Sequence, residues 1–140
     1  MSTKRTLSEL ESVLNIAITD DGESFNAEIL DGEIAVLQVT MAGREEFPIF
    51  ITIDDSQILC VSYLWKEYEI DPNQREELFD MMLTMNIPMP LSAFSKVGSQ
   101  YLIFGALANV SNVDAVIHEV EVLSDNTLEV VESFSDYMKS

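Results

Sequence analysis

A chain of 140 residues, 47% of them hydrophobic, holds enough apolar material for one packed core without help from a metal or a disulfide. Its 25 acidic residues against seven basic ones give a formal charge of −18, a field that repels nucleic-acid phosphates and anionic lipid headgroups and attracts basic segments. Direct binding to nucleic acid or to a membrane is therefore not expected.

The N-terminal stretch MSTKRTLSELESVLN has no apolar signal-like run before Glu9 and Glu11. Leu7, Leu10, Val13 and Leu14 recur at helical spacing, and Thr6 followed by Glu9 resembles a capping box, so a short helix is predicted over 7–15. TDDGES then turns the chain. Strand signals follow: FNAEIL (25–30), the Asp31-Gly32 dipeptide as a tight hairpin turn, and EIAVLQVTM (33–41). PIFITI (48–53), an Asp54-Asp55-Ser56 turn and QILCVSYLW (57–65) complete an antiparallel meander. The last of these strands is apolar on both faces, so the sheet needs a cover on both sides. Helices of the same chain supply one cover, and a second subunit is the expected other.

DPNQREELFDMMLTMN (71–86) predicts a helix capped at Asp71, with Pro72 in its first turn and Leu78, Met82 and Met85 inward. Ile87-Pro88 ends it. LSAFSKV and SQYLIFGALA form a second hairpin around Gly98. From Asn112 onward, Val113, Val116, Val120, Leu123, Thr127, Val130, Phe134 and Tyr137 keep a 3–4 spacing, leaving Glu119, Asp125, Glu129, Glu132 and Asp136 for the wet side. Asp125-Asn126 leaves one long helix and two shorter ones equally open. With no repeat or linker, the expectation is a single domain over 1–140. Its class is α+β: a mostly antiparallel sheet (meander plus hairpin) with helices packed on it, in the order α-ββββ-α-ββ-α.

Chemistry-bearing constellations are sparse. His118 is the only histidine and sits on the last predicted helix; Cys60 is the only cysteine and falls in a core strand. The lone cysteine permits no disulfide within the chain, and no segment approaches the roughly 20 apolar residues of a membrane span, so a reducing, cytoplasmic setting is expected. One histidine and one cysteine cannot build a zinc finger, and the acidic turns at 20–23 and 54–56 do not follow the spacing of a calcium loop. Met81, Met82, Met85 and Met89 could present soft sulfurs to copper(I), fill the core, or line an adaptable groove. Core is the reading favoured for Met82 and Met85; Met81 and Met89 are the candidates for a partner groove. Phe50, Tyr63 and Trp65 are candidates for a subunit interface, because large aromatics dominate interface energies. No catalytic residue, metal site or cofactor is expected.

Three segments carry a resemblance: VTMAGREEFPIFITIDDSQILCVSYLW, MNIPMPLSAFSKVGSQYLIFGAL and VIHEVEVLSDNTLEVVESFSDYM. Together they resemble the YjfI-like bacterial family of unknown function over about residues 7–138. The element order is also similar to that of type III secretion chaperones and YbjN-like proteins, which are small, acidic and commonly dimeric. The resemblance implies a non-enzymatic, chaperone-like or adaptor protein, with a relative of phage-shock protein A, a coiled-coil membrane-remodelling protein, as one conceivable partner. Taken with the −18 charge and the two-sided apolar strands, it leads to the expectation of a homodimer that captures a basic or amphipathic protein segment. The alternative is a small metal- or ligand-binding sensor.

Overall fold

The computed structural model describes residues 3–140 as a six-stranded antiparallel sheet with three α-helices, in the order α-ββββ-α-ββ-α. The elements are α1 (Leu7–Leu14), β1 (Phe25–Leu30), β2 (Val36–Met41), β3 (Ile49–Ile53), β4 (Ile58–Lys66), α2 (Arg75–Met85), β5 (Ala93–Val97), β6 (Gln100–Leu107) and α3 (Val113–Ser133). The strands lie side by side as β1-β2-β3-β4-β6-β5. Helices α1 and α3 pack on one face of the sheet, α1 over β1 and β2 and α3 over β4 and β6. Between them lies the core, with Leu10, Leu14, Leu37, Ile49, Ile51, Ile58, Ile103, Val116 and Leu123 almost wholly buried.

Local signals explain most of the element ends. Thr6 Oγ1 accepts from Glu9 N–H at 3.1 Å, but the return half of a capping box is absent because Arg5 holds the Glu9 carboxylate at 2.9 Å. Asp71 caps a 3₁₀ turn over Pro72–Gln74 that feeds α2. The Asp54 carboxylate accepts from Ser56 N–H, Ser56 Oγ and Gln57 N–H, closing the β3–β4 hairpin; these bonds hold its pKa below the usual carboxylate value. That turn acid is occupied by its own backbone.

The Asp31-Gly32 expectation is corrected. Leu30 pairs with Val36, so the β1–β2 connection spans residues 31–35 and Ile34 stands 73% exposed in it. Hydrophobic register is the reason. A two-residue turn at 31–32 would set Ala27 opposite Val36, turning Gln38 and Thr40 into the core and Leu37, Val39 and Met41 out of it. In the observed register Ala27 faces Val39 and Phe25 faces Met41, with all four buried. The longer loop preserves the buried face.

On α3 the 3–4 pattern holds through Val116, Val120, Leu123, Thr127, Val130 and Phe134, and the helix is continuous to Ser133. Asp125-Asn126 does not break it because both side chains are engaged across the fold instead of with their own backbone. Asn126 Nδ2 donates to Pro90 O and to Ser92 Oγ, each at 2.9 Å. Asp125 takes Arg44 Nη1 at 2.7 Å, and the same guanidinium reaches Ser124 Oγ at 2.9 Å and Glu23 at 3.4 Å. Arg44 thus fastens the β2–β3 turn to the middle of α3; its neighbours Glu45 and Glu46 are not its partners.

Glu119 is the second correction. It is 3% exposed, on the sheet side of α3, and its Oε1 has no hydrogen-bond partner among the described residues. It lies over Gly105 of β6, where any Cβ would collide with Oε1. Burial pushes its pKa up, favouring the neutral acid. The helical spacing missed this because 119 adjoins the apolar stripe, and only a glycine opposite makes room for it.

A raised carboxyl pKa stabilises the fold fully below the unfolded value, about 4.3, and that contribution is lost as pH rises through the folded value. Thermal melts should therefore show stability falling with rising pH above about 4.3, and Glu119→Gln should flatten that fall. Arg44→Met should cost about 1–2 kcal/mol in denaturant unfolding, a figure kept low because Asp125 is half exposed.

Candidate binding surfaces

Period two sends the alternate residues of every strand to the face opposite α1 and α3. On β4 these are Leu59, Val61 and Tyr63, which stand across from Ala106, Phe104 and Leu102 of β6. On the other flank Val61 faces Phe50 of β3. The Phe50 and Tyr63 rings lie 5.5 Å apart, tilted by 50°. Tyr63 is 49% exposed, Phe50 half-buried, and Leu30, Ile34 and Val97 extend the apolar band toward both ends. Among the described residues no helix covers this face. Two shallow hollows of about 520 and 460 Å³ run along it, meeting at Leu59, Val61 and Tyr63. Among the outward strand positions the charged residues are Glu28, near the β1 edge, and Lys66, paired with Gln100 at the end of β4.

Trp65 does not belong to that face. The β4–β6 register shifts between Tyr63 and Lys66, and this irregularity moves the buried phase from Ile58, Cys60 and Ser62 to Trp65. The indole is 6% exposed, stacked on Phe134 with centroids 5.5 Å apart, and close to Tyr101 at 6.5 Å. Strict alternation would place Trp65 on the same face as Tyr63; the bulge separates them. Met89 is likewise inside, 9% exposed, in a crevice where the 86–91 segment meets α3 near Val130. Met81 is 37% exposed on α2, and Met82 is buried against the core. Of the five candidates, Phe50 and Tyr63 come together, Met81 stands apart, and Trp65 and Met89 are structural.

A second concavity, of about 380 Å³, lies between α2 and the β5 edge. Phe79, Met82 and Leu83 come from α2, Phe94 and Lys96 from β5, and Tyr101 from β6. At its mouth the Glu67 carboxylate is gripped by Arg75 (Nε at 3.0 Å, Nη2 at 2.9 Å), by the Tyr101 hydroxyl at 2.8 Å and by Lys96 at 3.4 Å. Hydrogen bonds from Arg75 and then Tyr101 hold the Glu67 pKa down to about 2, while burial first and Glu67 second raise that of Tyr101. The Arg75 guanidinium also lies 4.4 Å above the Phe79 ring. Sequence reading did not assemble this cluster, because its members come from four separate elements. A clue lay in Arg75 and Phe79, four residues apart on one helix.

The groups of reactive type are differently placed. Cys60 is fully buried, and burial pushes its thiol pKa up, so no thiolate is on hand. His118 is exposed on α3. No group of three His, Cys, Asp or Glu side chains converges as a metal-binding set among the described residues. No helix is long and apolar enough to cross a membrane among them.

These surfaces belong to an α+β scaffold of a bacterial family. The chain is a member of the family of uncharacterized proteins conserved in bacteria (DUF2170), with residues 4–138 matched. No curated protein matches it.

The two aromatic positions on β4 should separate cleanly in denaturant unfolding. Trp65→Ala should lose about 3–5 kcal/mol as a core truncation, whereas Tyr63→Ser, at a half-exposed position, should stay within about 1 kcal/mol of the parent.

Proposed function

We infer that this protein is a non-enzymatic, chaperone-like adaptor that homodimerises and holds a basic or amphipathic segment of a partner protein. The observation that carries the reading is the outer sheet face: an apolar band over β3, β4 and β6, flanked by uncharged polar residues such as Gln38, Thr40 and Gln100 and with Glu28 as its one carboxylate, on a molecule whose net charge is −18. Copies of so acidic a protein repel one another except where charge is missing. The outer face is that place, and Val61 with its neighbours Phe50 and Phe104 sits at its centre. Six strands about 4.8 Å apart give the whole face a width of about 25–30 Å, with the apolar band over β3, β4 and β6 within it, a scale suited to a subunit interface.

The surrounding acids suit the second half of the reading. They draw a basic segment in and set the rate of encounter, while apolar contact supplies the affinity. The sequence resemblance to the YjfI-like family and to secretion chaperones points the same way, and makes a coiled-coil relative of phage-shock protein A the partner to try first. A buried thiol of raised pKa and a single surface histidine suit binding better than catalysis.

Sedimentation equilibrium at tens of micromolar should give a dimer, and Val61→Glu should convert it to a monomer with an unchanged circular dichroism spectrum. A monomeric parent at that concentration would remove the homodimer from this reading.

A further inference from the structure

The two edges of the sheet are finished differently. Along β1, α1 caps the outward backbone: Asn15 Nδ2 donates to Ala27 O at 2.9 Å, Asn15 Oδ1 accepts from Ala27 N–H at 2.8 Å, and Glu11 Oε2 accepts from Ile29 N–H at 3.0 Å. Along β5, Asn86 Oδ1 accepts from Phe94 N–H at 2.9 Å. Backbone direction alternates along a strand, so Lys96, two residues on, also turns its N–H and C=O away from β6. The hairpin fixes the same phase, since Val97 and Gln100 close a two-residue turn at Gly98, whose φ is +60°. Among the described residues no side chain caps Lys96 N–H as Asn86 caps Phe94. An edge left open in this way is a template for another strand.

The open stretch borders the 380 Å³ groove, whose wall on the far side is Phe79, Met82 and Leu83; Leu83 is 72% exposed. Charge there runs against the rest of the molecule. Arg75 and Lys96, two of the seven cations, line the groove and share the single carboxylate of Glu67, so it is locally positive. Glu76, Glu77 and Asp80 of α2 lie outside its lining.

We propose that β5 accepts an extended segment of a partner protein as an added strand, one that sets an apolar residue beside Phe94 and an acidic residue two positions away beside Lys96. Backbone bonds to the open edge hold the segment, and its alternate side chains are read by the groove. The apolar residue packs against Phe79, Met82 and Leu83. The acidic residue meets Lys96 and the exposed side of Arg75. This site is separate from the outer sheet face and takes a segment of the opposite charge, so it stands whether or not the chain dimerises.

A random peptide display library selected on the full chain tests it, with Leu83→Glu and Lys96→Glu as parallel baits. Both positions are partly or largely exposed, and thermal melts establish that the variants fold; Glu67→Gln, which frees both cations, is the third bait. Selected peptides should alternate, with an apolar residue two positions from Asp or Glu. They should bind either glutamate variant about tenfold or more weakly and Glu67→Gln more tightly. N-methylation of the peptide amides from one anchor through to the other should abolish binding, and the Lys96 amide should gain hydrogen-exchange protection in the complex. The proposal is overturned by absence of enrichment, by a basic consensus, by equal binding to all baits, or by a complex that leaves the Lys96 amide unprotected.

Discussion

The seat of α3 on the two central strands is the contact around which the rest is arranged. β4 and β6 carry Ile58, Cys60, Ile103 and Gly105 on the side that α3 covers with Val116, Val120 and Leu123. Gly105 is the enabling residue: its missing side chain is the space that the Glu119 carboxyl enters. The same helix then ties down the periphery. Asp125 and Ser124 hold the β2–β3 turn through Arg44, Asn126 holds the entry to β5 through Pro90 O and Ser92, and Phe134 receives Trp65. One helix face thus sets the height of the sheet, and its flanks set the positions of two loops.

With one face of the sheet committed to α3 and α1, the other is left to side chains alone. A soluble antiparallel sheet commonly solves this with polar outward residues. Here β3, β4 and β6 put Phe50, Val61 and Phe104 there. Edge treatment follows the same division of labour. β1 lies beside α1, whose Asn15 and Glu11 satisfy its outward backbone. Along the outer edge of β5, among the described residues, Asn86 bonds the backbone at Phe94 and reaches no further, while α2 stands across the groove.

The order of elements was legible from period alone, because each strand and helix carries its own apolar repeat. What was not legible required knowledge of a partner in space. Asp31-Gly32 is a strong local hairpin signal, yet it lost to the burial of Leu37, Val39 and Met41, a preference summed over the whole ladder. Trp65 looked equivalent to Tyr63 until a register shift between them turned it inward. Glu119 read as solvent-facing because a buried carboxylate is costly, and the glycine that admits it is fourteen positions away in sequence. Asp125-Asn126 was ambiguous because local hydrogen bonding favours a break, and only Arg44, Pro90 and Ser92 remove that option. On the candidate surfaces, alternation put Phe50 and Tyr63 within reach of one another. The Glu67–Arg75–Lys96–Tyr101 cluster was invisible, since no spacing rule links four elements.

Charge then organises these surfaces into distinct roles. With 25 acids in 140 residues, a random scatter would place several on the outer face, and it holds one, near an edge. The groove goes further and gathers two cations around Glu67, whose depressed pKa keeps it ionised across the physiological range. Long-range repulsion between copies falls off within about 8 Å at physiological salt, so an approach along the bare face meets little resistance once its acidic surroundings are screened. The proposed groove contact would act at the same short range: a carboxylate arriving there would leave a repulsive field and enter an attractive one. On a chain of net charge −18, the outer face and the groove are thus two places where the acids thin out, and the proposed contacts rest on that.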